Sequence, residues 1–218
     1  GQSHDLKLQK PIKVLIEGAN LDLYKPLDNT SDFKSIGLYK DLNSIKEDFA
    51  YLFVGHWMQG VMGEDRKNVG LLVKAFYELF KNKSKVPALI IKTSLAGSSY
   101  LDRKEIQNTI PSNKLPNIYL LHGEFSDVEM NEIYNHPKIK SMVNLTKGEG
   151  FGRPLLEFSL TNKPVITTGW GGHTDFLDSE LTSLLGGKLT EIHPSAQMKD
   201  MLIEGSLWFS VDHGQIDH

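Results

Sequence analysis

Lys147-Gly-Glu-Gly-Phe-Gly-Arg-Pro-Leu-Leu-Glu157 is the stretch that decides how this chain is read. An apolar, strand-like run, Ile139 to Thr146, leads into it, and a helical pattern with Pro154 near its first turn follows. Gly148, Gly150 and Gly152 let the backbone bend sharply and approach a ligand closely. A glycine-rich turn from strand to helix offers free N–H groups to an anion. Glu149 and Glu157 flank the turn with seven residues between them. Carboxylates in that position accept hydrogen bonds from sugar hydroxyls. A phosphate site beside a hydroxyl site suits a nucleotide sugar.

Working outward, apolar β-rich runs alternate with helical patterns. Tyr51-Leu-Phe-Val-Gly55 reads as a buried strand. Arg66 to Asn82 reads as a helix, with Val69, Leu72, Val73, Phe76, Leu79 and Phe80 on one face and Asp65 as its N-cap. Pro87 to Thr93 is the next strand, and a weaker helix is expected from about Asp102 to Thr109. Asn117 to His122 is a strand; Ser126 to Glu129 has capping-box spacing and opens a helix that ends near His136-Pro137. A helix from about Arg153 to Thr161, the strand Pro164 to Thr168 and the turn Gly169-Trp-Gly-Gly172 follow. Asn29 to Asp48 reads as a connector or irregular edge. Leu181 to His218 is weakly patterned, with Leu207 to Val211 a short edge strand. Repeated βαβ units predict an α/β, Rossmann-like three-layer sandwich with a mostly parallel sheet. Ligands of such sheets sit at the carboxyl ends of the strands, where the glycine turn lies.

The 218 residues suffice for one large α/β domain or two small ones. A net charge of −3 and a pI near 6.3 argue against bulk electrostatic binding of nucleic acid. There are no cysteines, so there are no disulfides and no thiolate metal site; a reducing, cytoplasmic compartment is the expectation. No apolar run is long enough for a membrane span, although peripheral membrane association of a longer protein stays open. The eight histidines form no ligand set by spacing, and no Ser-His-Asp or Cys-His arrangement can be assembled.

From about Ile12 to Val211 the chain resembles the C-terminal, donor-binding domain of retaining glycosyltransferases of the GT-B architecture, in the large group-4 type of the glycosyl transferases group 1 superfamily. The likeness is carried by Glu149 and Glu157 with Gly150-Phe151-Gly152 and Pro154 between them. Asn162 to Gly172, Arg66-Lys67-Asn68 and Leu120-Leu-His-Gly123 with Ser126 to Tyr134 add to it, as does Glu17-Gly-Ala-Asn-Leu-Asp-Leu-Tyr-Lys-Pro26, and all stand in the family's order. The resemblance implies that residues 1–26 enter from an absent N-terminal, acceptor-binding domain. Residues 27–218 would then form the nucleotide-sugar domain, shortened at its C-terminus.

The resemblance also implies roles. Glu157 should hold the ribose hydroxyls, against the bland reading of a helix-start Glu favoured by the macrodipole. Glu149 should either hold hydroxyls of the transferred sugar or stabilise positive charge at its anomeric carbon. Gly150, Phe151 and Gly152 should offer N–H groups to sugar or phosphate, with Phe151 alternatively packing under the turn. Lys67, with Arg66 beside it, should neutralise the leaving diphosphate, where a fixed cation is worth most in the transition state. Many family members carry an Arg directly after the glycine ending the first strand, where this chain has Gly55-His56-Trp57. Arg66, His56 or a residue of the absent domain would replace that charge. Arg153, where an aliphatic residue is usual, either contacts phosphate or points to solvent. Gly55 and Gly123, at strand ends, complete the donor-binding set. Trp170 reads as packing rather than as a stacking platform. No metal and no cofactor are expected; the substrate would be a UDP- or GDP-linked sugar. Two other classes remain: a nucleotide-sugar-binding module without catalysis, and a GT-B relative such as a sugar-nucleotide epimerase.

Overall fold

Six short runs of apolar and β-branched residues pair side by side in one parallel sheet: β1 (Ala50–Val54), β2 (Ala88–Thr93), β3 (Ile118–His122), β4 (Ile139–Asn144), β5 (Val165–Thr168) and β6 (Thr182–Leu185). The computed structural model describes residues 17–57, 64–94, 114–197 and 205–216, with 11, 13, 15 and 108 besides. The order across the sheet is β3-β2-β1-β4-β5-β6, so it reverses direction of growth between β1 and β4. That reversal leaves a crevice at the carboxyl ends of those two strands, the place where such sheets take ligands. The expected Rossmann-like α/β sandwich is therefore the fold observed.

Alternation along the strands builds two cores. Leu52 and Val54 of β1, Ile90 of β2 and Met142 of β4 face α1 (Ile36–Asn43), α3 (Asp127–Asn135) and α4 (Arg153–Ser159), packing with Leu42, Ile133, Tyr134, Leu155 and Phe158. Phe53, Leu89, Ile91 and Val143 face the other way, against Val69, Leu72, Val73 and Phe76 of α2 (Val69–Phe80). Both faces of the central strands are dry, which is why they read as continuous apolar runs.

Three expectations are corrected. The stretch 29–48, read as a connector, contains α1. Its amino end has no local side-chain cap. Instead the carboxylate of Glu132 on α3 accepts from the N–H groups of Lys34 (2.6 Å) and Ser35 (3.0 Å). A cap supplied by a residue so far along the chain leaves no local signature. The helix predicted from Arg66 begins at Val69, with Asn68, in the left-handed region at φ 56°, as its N-cap in place of Asp65. The Asp65 carboxyl still lies at this helix end: burial raises its pKa, and the N–H groups of Val69, Asn68 and Lys67 oppose the rise. In the weakly patterned C-terminal part, β6 joins the main sheet, while β7 (Gly187–Glu191) pairs antiparallel with β8 (Leu207–Val211) in a separate two-stranded sheet. A short helix, α5 (His213–Ile216), follows. The helix expected at 102–109 lies outside the described residues except for position 108. The capping box at Ser126 and Glu129 is formed as predicted.

Lys163, in the turn between α4 and β5, is a clamp the sequence did not announce. Its ammonium donates to the carbonyls of Tyr134 (2.7 Å), His136 (3.0 Å) and Ile139 (2.8 Å), just where α3 ends and β4 begins. A Lys163→Met variant keeps the side chain's volume and takes the charged donor from three carbonyls, of which that of His136 keeps the Ile139 N–H. It should lose about 2–3 kcal/mol of stability in urea denaturation; a loss below about 0.5 kcal/mol would show that water replaces the clamp.

Candidate nucleotide-sugar site

The residues just ahead of α2 run beside the loop that leaves β4. The Lys147 N–H donates to the Arg66 carbonyl (2.8 Å), which ties the two loops together. From this junction the predicted cations meet the predicted carboxylate. The Lys67 ammonium lies 2.6 and 2.7 Å from the two oxygens of Glu149. Arg66 Nη1 donates to the Gly148 carbonyl (2.7 Å) and reaches Glu149 Oε2 (3.3 Å). Lys67 and Glu149 side chains are about nine-tenths buried, whereas that of Arg66 is 44% exposed. The three groups sum to one positive charge at the mouth of the crevice.

The glycines here are close-packing devices. The turn at 148–152 lies backbone to backbone on the turn at 169–172: the Gly172 N–H donates to the Glu149 carbonyl (3.0 Å), and a methyl on Gly172 would overlap the Gly150 carbonyl oxygen. Gly152 sits at φ 92° as the N-cap of α4, against the Glu149 stem and His173. Phe151 packs on Phe176, with ring centroids 5.0 Å apart, which is the packing alternative. Trp170 stacks on Phe209 at 6.2 Å with planes 5° apart, likewise as packing. His173 is fully buried, its Nε2 2.7 Å from the Thr168 carbonyl.

Glu157 is 7% exposed, one turn into α4. Its Oε2 accepts from the Tyr134 hydroxyl (3.0 Å) and its Oε1 lies 3.4 Å from Arg153 Nε. Burial raises the Glu157 pKa; the hydrogen bond from Tyr134, the Arg153 charge and a hydrogen bond from Tyr24 pull it back. Tyr24 and Tyr134 are correspondingly pushed above the usual phenol range by burial and by the Glu157 charge. Arg153, 64% exposed, thus pairs with Glu157 rather than pointing away from it.

Gly55 lies against the Lys67 stem, where an added methyl would come 3.8 Å from Cε. His56 turns away, to Ser94 at the end of β2: its Nδ1 is 3.3 Å from Ser94 Oγ. His122 reaches the Ser94 carbonyl at 3.2 Å, and Gly123, at φ 135°, donates to the Thr93 carbonyl. Of the two local candidates for the absent arginine, Arg66 is the one that reaches Glu149. Among the described residues no group of three or more His, Cys, Asp or Glu is placed to hold a metal ion, and no helix is long and apolar enough to cross a membrane.

Sequence reasoning missed three partners. Tyr24 and Tyr134 surround Glu157, and Lys147 is buried with its ammonium 3.0 Å from Glu64 and 4.8 Å over the Trp208 ring. No sequence pattern connects Tyr24 or Tyr134 to Glu157. A lysine in a glycine loop reads as solvated.

Sheet order, crevice and paired glycine turns define the architecture of the C-terminal half of a GT-B glycosyltransferase. Solved structures agree. The chain superposes on the C-terminal domain of a glycosyl transferase group 1 family protein, LpcC from Francisella tularensis, with TM-score 0.54 and 15% identity, covering 77% of this chain and 80% of that one. HepE of Anabaena, solved with UDP and glucose, gives 0.53 at 19% identity, over 79% of this chain and 43% of its own. The sucrose-phosphate synthase of Thermosynechococcus elongatus gives 0.52 at 19%, over 77% and 38%. The chain therefore spans about two fifths of the latter two. No protein-family model and no curated protein sequence matches it.

Proposed function

We propose that this chain is the donor-binding half of a retaining glycosyltransferase, which moves a sugar from a nucleoside-diphosphate sugar to an acceptor hydroxyl. The observation that carries this reading is the meeting of Arg66, Lys67 and Glu149 at the carboxyl ends of β1 and β4. Glu157 is recessed in the helix that leaves the same turn. Glu157 accepts from the ribose hydroxyls. Arg66 and Lys67 take the diphosphate and stabilise the charge that grows on it as the glycosidic bond breaks. Glu149, in the turn that follows β4, faces the anomeric carbon. The acceptor enters from the same face as the departing phosphate, which takes the acceptor's proton, so configuration is retained. The acceptor-binding half is a separate domain. HepE, which shares the fold, was solved with UDP and glucose, in keeping with a nucleotide and a sugar as ligands.

Calorimetric titration with UDP, GDP and ADP tests this. One nucleotide should bind, and Glu157→Ala should abolish the heat. A folded chain that binds none of the three overturns the reading. The pH dependence adds a check. Ribose needs the charged Glu157, whose pKa lies above its ordinary 4.5, so affinity should fall as pH drops through that raised value. Tyr134→Phe removes a hydrogen bond that stabilises the charged form, and should move the acid midpoint upward. An unmoved midpoint would mean that Glu157 does not contact the nucleotide.

A further inference from the structure

On the far side of the Lys147 loop lies a second cavity of about 580 Å³, between the amino end of α2 and the β7–β8 sheet. Its volume falls within the range of small-molecule sites. Lys147 turns into it, while Glu149, two residues on, turns to Lys67. Asn68, only 1% exposed, lines it, its Oδ1 buried and without a hydrogen-bond partner among the described residues. Lys147 is anchored from below by the Trp208 ring and from the side by Glu64, whose carboxylate stays one-third exposed. Across the cavity the hydroxyls of Thr190 and Ser210 bond to each other at 2.6 Å.

The charges around this space cancel, Lys74 and Lys147 against Glu64 and Glu191. An anion would meet the carboxylate of Glu64 without bringing a donor. A cation would meet the buried Lys147. A neutral ligand carrying several hydroxyls suits these groups: it donates to Glu64, accepts from Lys147, and exchanges bonds with Thr190 and Ser210. Leu71, Ile192 and Val211 supply an apolar wall for C–H faces. We propose that this cavity is a carbohydrate site separate from the nucleotide-sugar crevice, taking a neutral mono- or disaccharide.

Saturation-transfer NMR of the chain with glucose, N-acetylglucosamine, maltose and lactose tests it. At least one sugar should bind with roughly millimolar affinity. Binding should be unchanged by saturating UDP and by Glu157→Ala. It should weaken about tenfold in Thr190→Val, which removes a hydroxyl at constant volume, and vanish in Ser210→Trp, which fills the space. If Ser210→Trp fails to fold, Thr190→Val decides. No transfer from any of the four sugars overturns the proposal, as does transfer that UDP or Glu157→Ala removes or that Thr190→Val leaves intact. The last two results would put the sugar in the donor crevice or elsewhere on the surface.

Discussion

Replacing Lys67 with Met should destabilise the fold by about 3 kcal/mol, because it leaves a carboxylate that is about nine-tenths buried with only the longer contact to the half-exposed Arg66. The loss belongs to the under-compensated charge of Glu149 more than to the missing attraction. Glu149→Gln in the same chain should therefore recover most of it, and thermal melts of the four chains of this cycle measure the coupling. Additive effects would mean that the pair is solvated in solution. Nucleotide binding separates the roles further. On the proposed reading, an incoming diphosphate shares the Lys67 ammonium with Glu149. Glu149→Gln alone should thus tighten UDP or GDP binding by about tenfold, while Lys67→Met weakens it by at least that factor. In the proposed transferase the same Glu149→Gln change should slow transfer, since the carboxylate proposed to face the anomeric carbon is lost. Tighter product binding with slower turnover is a combination that a purely structural Glu149 would not give.

Gly172→Ala is the second large effect expected. The added methyl would overlap the Gly150 carbonyl oxygen and crowd the Phe151 Cα, all of it backbone, so no side chain can swing away. The turn at 148–152 must then lift off the turn at 169–172, breaking the hydrogen bond from the Gly172 N–H to the Glu149 carbonyl. A cost of about 3 kcal/mol or more follows from overpacking plus that bond. Glu149 moves with its carbonyl, so nucleotide affinity should fall by more than the stability loss alone would produce. Urea denaturation and calorimetry on the same sample read both. A melting curve within about 2 °C of the parent's would show that the turns can separate freely. Gly150→Ala is the internal comparison, since a methyl there meets open space.

What the sequence made legible shares one property: its signal is local. The strands are apolar runs bounded by breakers, because both faces of a parallel sheet are covered. The capping box of α3 spans four consecutive positions. Glu149 and Glu157 flank a single turn, so their spacing could be read directly. What escaped depends on residues distant in the chain. The amino end of α1 is capped by Glu132, the charge of Glu157 is tuned by Tyr24 and Tyr134, and Lys147 is buried by Glu64 and Trp208. Periodicity carries no record of such pairings. The Asp65 error has the same origin: its side chain does lie at the helix end, but Asn68 takes the cap position in a left-handed conformation that only the tertiary fold maintains.

The parallel register has a kinetic consequence. β1 meets β2 after a crossover of some thirty residues, but its other edge pairs with β4 about ninety residues on, Ala50 opposite Ile139. Closing the longer loop consumes more chain entropy before any pairing rewards it, so the β1–β4 seam should zip late and set a refolding time of milliseconds to seconds. The proposed diphosphate cradle straddles that seam. In a stopped-flow refolding experiment, recovery of nucleotide binding should accordingly trail the return of helical dichroism, making bound nucleotide a reporter of the final closure event rather than of collapse.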